Sequence, residues 1–173
     1  RFDDRIDEAA LGSDVRDRHV QVVALDEVLL DLLYLGRTGI GEPLHQQLRG
    51  TVGDSARQLN RIALEVSFDP ACVQVDDADA AAEGTQIFPG AIPQPVHVMQ
   101  NQVVPGAPAR ALYQAEMDPG ASVDGSGVVA SLTLRGVAAG TCALRIQSVS
   151  GADAAGNPLS ILPLSDGLVT VAG

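Results

Sequence analysis

Tryptophan and lysine are missing from this chain of 173 residues, aromatic residues make up 3% of it, and there are two cysteines. Each shortage excludes something. Stacking platforms for sugars or single-stranded nucleic acid need rows of flat π-faces, so the shortage of rings weakens that reading. All basic residues are arginine, and the formal net charge is −11. Such a chain repels phosphate backbones and anionic leaflets, so neither nucleic acid nor a membrane surface is an expected partner. The lack of lysine, beside abundant Ala, Gly, Asp and Val, reads as a nucleotide bias rather than a functional signal. Cys72 and Cys142 carry no CxxC spacing and no nearby histidine pair, so zinc is not expected. One disulfide in an extracellular domain, or two small buried thiols, both fit them. The longest apolar stretch, Val20 to Leu35, is broken by Asp26, Glu27 and Asp31, which rules out a membrane-spanning helix. No signal peptide is visible, and the chain reads as one module of a longer protein.

What is present divides into two textures. Residues 1–58 open on a charged segment suited to a solvated helix or a tail. Val20 to Ala24 alternates like a strand, and the apolar run from Leu25 fits either helix or strand. A stretch punctuated by Gly and Pro follows. Residues 59–173 are plainer. Ile62, Leu64, Val66 and Phe68 alternate with Arg61, Ala63, Glu65 and Ser67, which predicts a strand with one buried face. Asp69-Pro70 ends it. Ala111, Tyr113, Ala115 and Met117 alternate with Arg110, Leu112, Gln114 and Glu116. Val128, Ala130, Leu132 and Leu134 alternate with Val129, Ser131, Thr133 and Arg135. Shorter strands are expected near Val96–Val103, Leu144–Ile146 and Leu168–Val171. Turns are expected at Pro105–Pro108, Val123–Gly127, Ala138–Gly140 and Asp153–Pro158, and an irregular loop over Pro89–Pro95. Short strands at near-regular spacing predict an all-β sandwich or barrel.

Catalytic signatures are scarce. His19, His45 and His97 are far apart, and no HExxH, GxSxG, GxGxxG or P-loop occurs. Ser126, within GSG, reads as a turn residue. Glu65 and Glu116 sit on outward strand positions, where solvated acids are a simpler reading than a glycosidase pair. Asp76, Asp77 and Asp79 are a weak candidate for calcium, since clustered carboxylates suit a hard cation, but a solvated loop fits them better. The chain is therefore expected not to be an enzyme and to need no cofactor.

The run LEVSFDPACVQV, from Leu64 to Val75, resembles the cohesin signature, in which a strand ends in an aromatic-Asp-Pro turn before an apolar strand. The later segments follow in matching order: AAEGTQIFPG from Ala81 to Gly90, GSGVVASLTLRGVAAGT from Gly125 to Thr141, DAAGNPL from Asp153 to Leu159, and DGLVTV from Asp166 to Val171. The resemblance covers roughly the last two thirds of the chain. It implies a jelly-roll β-sandwich of about nine strands, related to one class of carbohydrate-binding module. It also implies a secreted bacterial module that binds a dockerin in polysaccharide-degrading or cell-surface assemblies, with calcium carried by the dockerin. Many cohesins place polar Asn and Asp residues on the strand before the turn, where this chain has Arg61 and Ala63. The first two family strands should precede Asn60, where Val20–Ala24 and Gly53-Asp54 are the poor candidates. If the resemblance holds, the outward residues Arg61, Glu65, Arg110, Gln114, Ser131, Thr133, Arg145 and Gln147 are the expected partner contacts, on a sheet the sequence does not identify. Carbohydrate binding is the alternative, with Tyr113 and Phe88 as the available rings. A structural spacer of a surface protein is the other alternative.

Overall fold

The computed structural model describes residues 28–33, 35–52, 59–93, 97–159 and 161–173. Among these there are thirteen β-strands and no helix. One sheet runs in the order β12 (Ile161–Ser165), β1 (Val28–Leu33), β3 (Pro43–Val52), β9 (Gly125–Gly136), β5 (Val73–Asp76), with β6 (Phe88–Pro89) also paired to β9. The other runs β2 (Leu35–Gly39), β13 (Gly167–Ala172), β10 (Gly140–Ala152), β4 (Arg61–Phe68), β8 (Ala109–Glu116), β7 (His97–Val104), with β11 (Pro158–Leu159) beside β10. The two sheets make a jelly-roll β-sandwich.

The core follows from alternation. Ile62, Leu64, Val66 and Phe68 of β4 point inward and are buried, as do Ala111, Tyr113 and Ala115 of β8. Leu132 and Leu134 of β9 meet them from the facing sheet, and Leu144, Val169 and Val171 extend the same cluster. Removing these side chains from water is the main stabilising contribution. The last residues of the chain close the sandwich, with β13 pairing β10 on one side and β2 on the other.

Several expectations needed correction. The segment Val123–Gly127 does not form a turn, because β9 starts at Gly125 and pairs in register with Val52, Thr51 and Gly50. Gly127 is there for close approach, since a Cβ would sit 3.0 Å from Cγ2 of Ile92. The Pro-rich loop is partly laddered: β6 pairs β9, Gly90 N donates to Val129 O at 2.9 Å, and Ile92 N donates to Val128 O at 3.0 Å. The β3–β9 register slips at Leu48/Arg49, leaving Val129 as the extra residue of a bulge. Val129 is then fully buried, against the simple alternation. Gly90 lies so close to Val128 and Val129 that an added Cβ would overlap their backbone atoms. Gly90→Ala should destabilise by about 2 kcal/mol, because backbone cannot move aside as a side chain can. Urea unfolding would measure this, and an unchanged midpoint would show that the loop is not held there.

Three strands also lie within residues 28–52, a stretch whose state the sequence left open. Val20–Ala24 and Gly53-Asp54 lie outside the described residues, whereas β1, β2 and β3 occupy Val28–Val52. The run at β1 was ambiguous because a continuous apolar stretch carries no period. β3 shows no clear alternation, and its extended state follows from pairing with β1 on one side and β9 on the other.

Candidate protein-binding face

The outer surface of β10-β4-β8-β7 collects most of the expected contact residues. Across β4 and β8, Arg61 lies opposite Glu116, Ala63 opposite Gln114, Glu65 opposite Leu112 and Ser67 opposite Arg110. On the other side of β4, β10 sets Ala152, Ser150, Ser148 and Arg145 against Arg61, Ala63, Glu65 and Ser67. β7 adds His97 opposite Glu116, Gln100 opposite Gln114 and Gln102 opposite Leu112. Leu112, half-buried, is the apolar residue in the middle of this polar surface.

Two of the arginines on the face are paired with glutamates. Arg61 Nε donates to Glu116 Oε2 at 2.8 Å, and Arg110 Nη1 lies 3.4 Å from Glu65 Oε1. At the rim His97 Nε2 is 2.7 Å from Asp118 Oδ1. Exposed pairs of this kind contribute about 0–1 kcal/mol each, so their effect is to orient side chains rather than to hold the fold. A bulge between Ile146 and Ser148 makes Gln147 the extra residue of β10. Its Nε2 donates to Ser67 Oγ at 2.7 Å, which explains why an outward serine is only 4% exposed.

Arg61, Glu65, Arg110, Gln114, Arg145 and Gln147 thus share one face. Ser131 and Thr133 do not, because β9 belongs to the opposite sheet, and Thr133 is buried. The bulge also hid Ser148 and Ser150 from the sequence reading, since one extra residue reverses the alternation. Leu112 was legible as the apolar member of an otherwise polar row.

The remaining candidates separate. Asp76 accepts from Arg135 Nε at 3.0 Å and Nη2 at 2.8 Å, and that hydrogen-bonded carboxylate raises the Arg135 pKa above its ordinary value. Asp77 Oδ1 accepts from the backbone N–H groups of Asp79 and Gln86, and Asp79 Oδ1 accepts from Ala81 N. These carboxylates shape the loop. Among the described residues no group of three His, Cys, Asp or Glu side chains could hold a metal. Ser126 lies within β9 rather than in a turn, His45 lies on β3, and His19 is outside the described residues. Cys72 and Cys142 are disulfide-bonded, with Cα atoms 6.1 Å apart, and tie the β4–β5 turn to β10. Tyr113 is 2% exposed in the core, so it cannot serve as a sugar platform, which leaves Phe88 at 37%. No described helix is long and apolar enough to cross a membrane.

An all-β jelly-roll with one broad polar sheet face is a fold shared by many binding modules. Solved structures narrow it. The chain is similar to a non-cellulosomal cohesin of the hyperthermophilic archaeon Archaeoglobus fulgidus, with TM-score 0.62 and 15% identity over 85% of this chain and 92% of that one. It is similar to a type II cohesin domain from the cellulosome of Acetivibrio cellulolyticus, with TM-score 0.66 and 12% identity over 83% and 95%. It also matches a structure of a type I cohesin–dockerin complex from Clostridium thermocellum, with TM-score 0.60 and 13% identity over 84% and 99%. No protein-family model and no curated protein matches the sequence. The fold is cohesin-like.

Proposed function

We propose that this chain is a non-catalytic, cohesin-like binding module of a secreted bacterial multidomain protein, and that a dockerin-type protein seats on the outer face of β10-β4-β8-β7. The observation that carries the reading is the gathering of Arg61, Glu65, Arg110, Gln114, Arg145 and Gln147 around Leu112 on a single sheet. A polar surface with arginine anchors and a small apolar centre suits protein recognition. Similarity to a cohesin crystallised with a dockerin supports the class of partner. The non-catalytic reading is supported by Glu65 and Glu116, each engaged by an arginine rather than facing the other across a cleft.

The test is capture of calcium-loaded dockerin modules by the full chain, with and without a chelator. Leu112→Glu should weaken capture about thirtyfold, since a charge would be buried at the centre of the contact. Gln74→Glu, at an exposed position of β5 in the other sheet, should leave capture unchanged. Equal losses from both variants would refute the assignment to this face. A folded chain that retains no dockerin would move the function to a spacer domain.

A further inference from the structure

At one end of this face lies a groove of about 400 Å³, lined by Ser67, Phe68, Thr141, Ala143, Arg145 and Gln147 among others. Resting on the function proposed above, we infer that the groove takes an acidic side chain of the protein partner, with Arg145 as its anchor. Three observations point there.

Arg145 is exposed and, among the described residues, meets no carboxylate. Arg61 pairs with Glu116, Arg110 with Glu65 and Arg135 with Asp76. A guanidinium left with open donors beside a concave surface is set up for planar, two-pronged recognition of a carboxylate. The groove wall adds a neutral donor. Thr141 contributes an exposed hydroxyl, while Ser67 is covered by Gln147, whose Nε2 donates to its Oγ at 2.7 Å. Asp69 is the one acid on the wall, and its Oδ1 is turned to the N–H of Ala71 at 2.9 Å.

The charge balance of the face differs from that of the chain. The whole sequence carries −11. Over the central strands of the face, Arg61, Arg110 and Arg145 stand against Glu65 and Glu116, with Asp69 and Asp166 at its end, so the patch is close to neutral on a strongly acidic chain. An acidic partner is repelled less here than over the rest of the surface, which favours orientation as well as affinity. A basic partner would find its attraction everywhere else.

The test uses the full chain, labelled with nitrogen-15, at low ionic strength. One probe is a blocked hexapeptide alternating glycine with glutamate. The other is the same peptide with lysine in place of glutamate. The glutamate peptide should shift amide signals of Thr141, Ala143, Arg145 and Gln147 in a saturable way, and the lysine peptide should not. Arg145→Gln should weaken the glutamate titration by up to about fivefold, on the scale of an exposed ion pair, while Arg145→Lys should recover part of it. Spectra elsewhere should be unchanged, which separates lost binding from lost folding. Shifts produced equally by both peptides, shifts centred elsewhere, no shifts, or an Arg145→Gln response equal to wild type would each overturn the inference. Because no dockerin is involved, this result stands apart from the capture experiment. Dockerin capture that ignores Arg145→Gln would retain the function and reject the anchor.

Discussion

Replacing both Cys72 and Cys142 with alanine should cost the folded chain about 4 kcal/mol and lower its melting temperature by about 10 °C. The bond closes a loop across a sequence separation of 70. On the chain-entropy account, a loop of that length removes most of its stabilising entropy from the unfolded ensemble rather than adding contacts to the folded one. The site supports the larger end of the range. Cys142 is 2% exposed and Cys72 packs against the core, so the bridge lies beneath the turn that Asp69 and Pro70 begin. Calorimetry of the wild type with and without reductant, beside the double variant, makes the comparison. The reduced wild type and the variant should melt together, well below the oxidised form. Coincident melting of all three would mean that the bond constrains little.

Tyr113→Ala should cost about 4 kcal/mol, as for other large aromatic truncations in a packed core. Among the described residues Tyr113 is the largest fully buried side chain, paired with Leu64 of β4. Burial also pushes its phenol pKa from 10.0 up to about 12. The sign follows from which form holds the proton. The folded state keeps the phenol neutral where the unfolded chain would already ionise it. The stabilisation is therefore full below pH 10 and is lost as pH rises from 10 to about 12. Tyr113→Phe should remove that alkaline decline while costing little at pH 7. Chemical unfolding at pH 7 and pH 11 on the three proteins would decide it, and an identical decline in Tyr113→Phe would assign the slope to another group.

Legibility varied with the physics of each element. β4 and β8 were plain in the sequence because each has one buried and one solvated face, so Ile62 to Phe68 and Ala111 to Ala115 write their burial as alternation. β3 was not, because its extended state depends on partners on both sides rather than on its own pattern. The reading of Thr133 as an outward, exposed residue failed for a related reason. A polar residue in register with outward neighbours looked exposed, and only the tertiary arrangement buries it. The candidate face was legible strand by strand, but not as a face, since the pairing of β10 with β4 and of β4 with β8 is long-range. Bulges at Val129 and Gln147 marked the limit of alternation, as each inserts one residue with no sequence signature of its own.

The two earliest described strands have partners at the far end of the chain, β1 with β12 and β2 with β13, both in parallel pairs. Strands made first therefore wait for strands made last. As the chain emerges, neither sheet can complete its edge until residues beyond Ile161 are available, and pairing at such separation is slow even then. Both sheets therefore acquire their outer edges last, and the early strands stay unpaired on that side until residues 161–172 reach them.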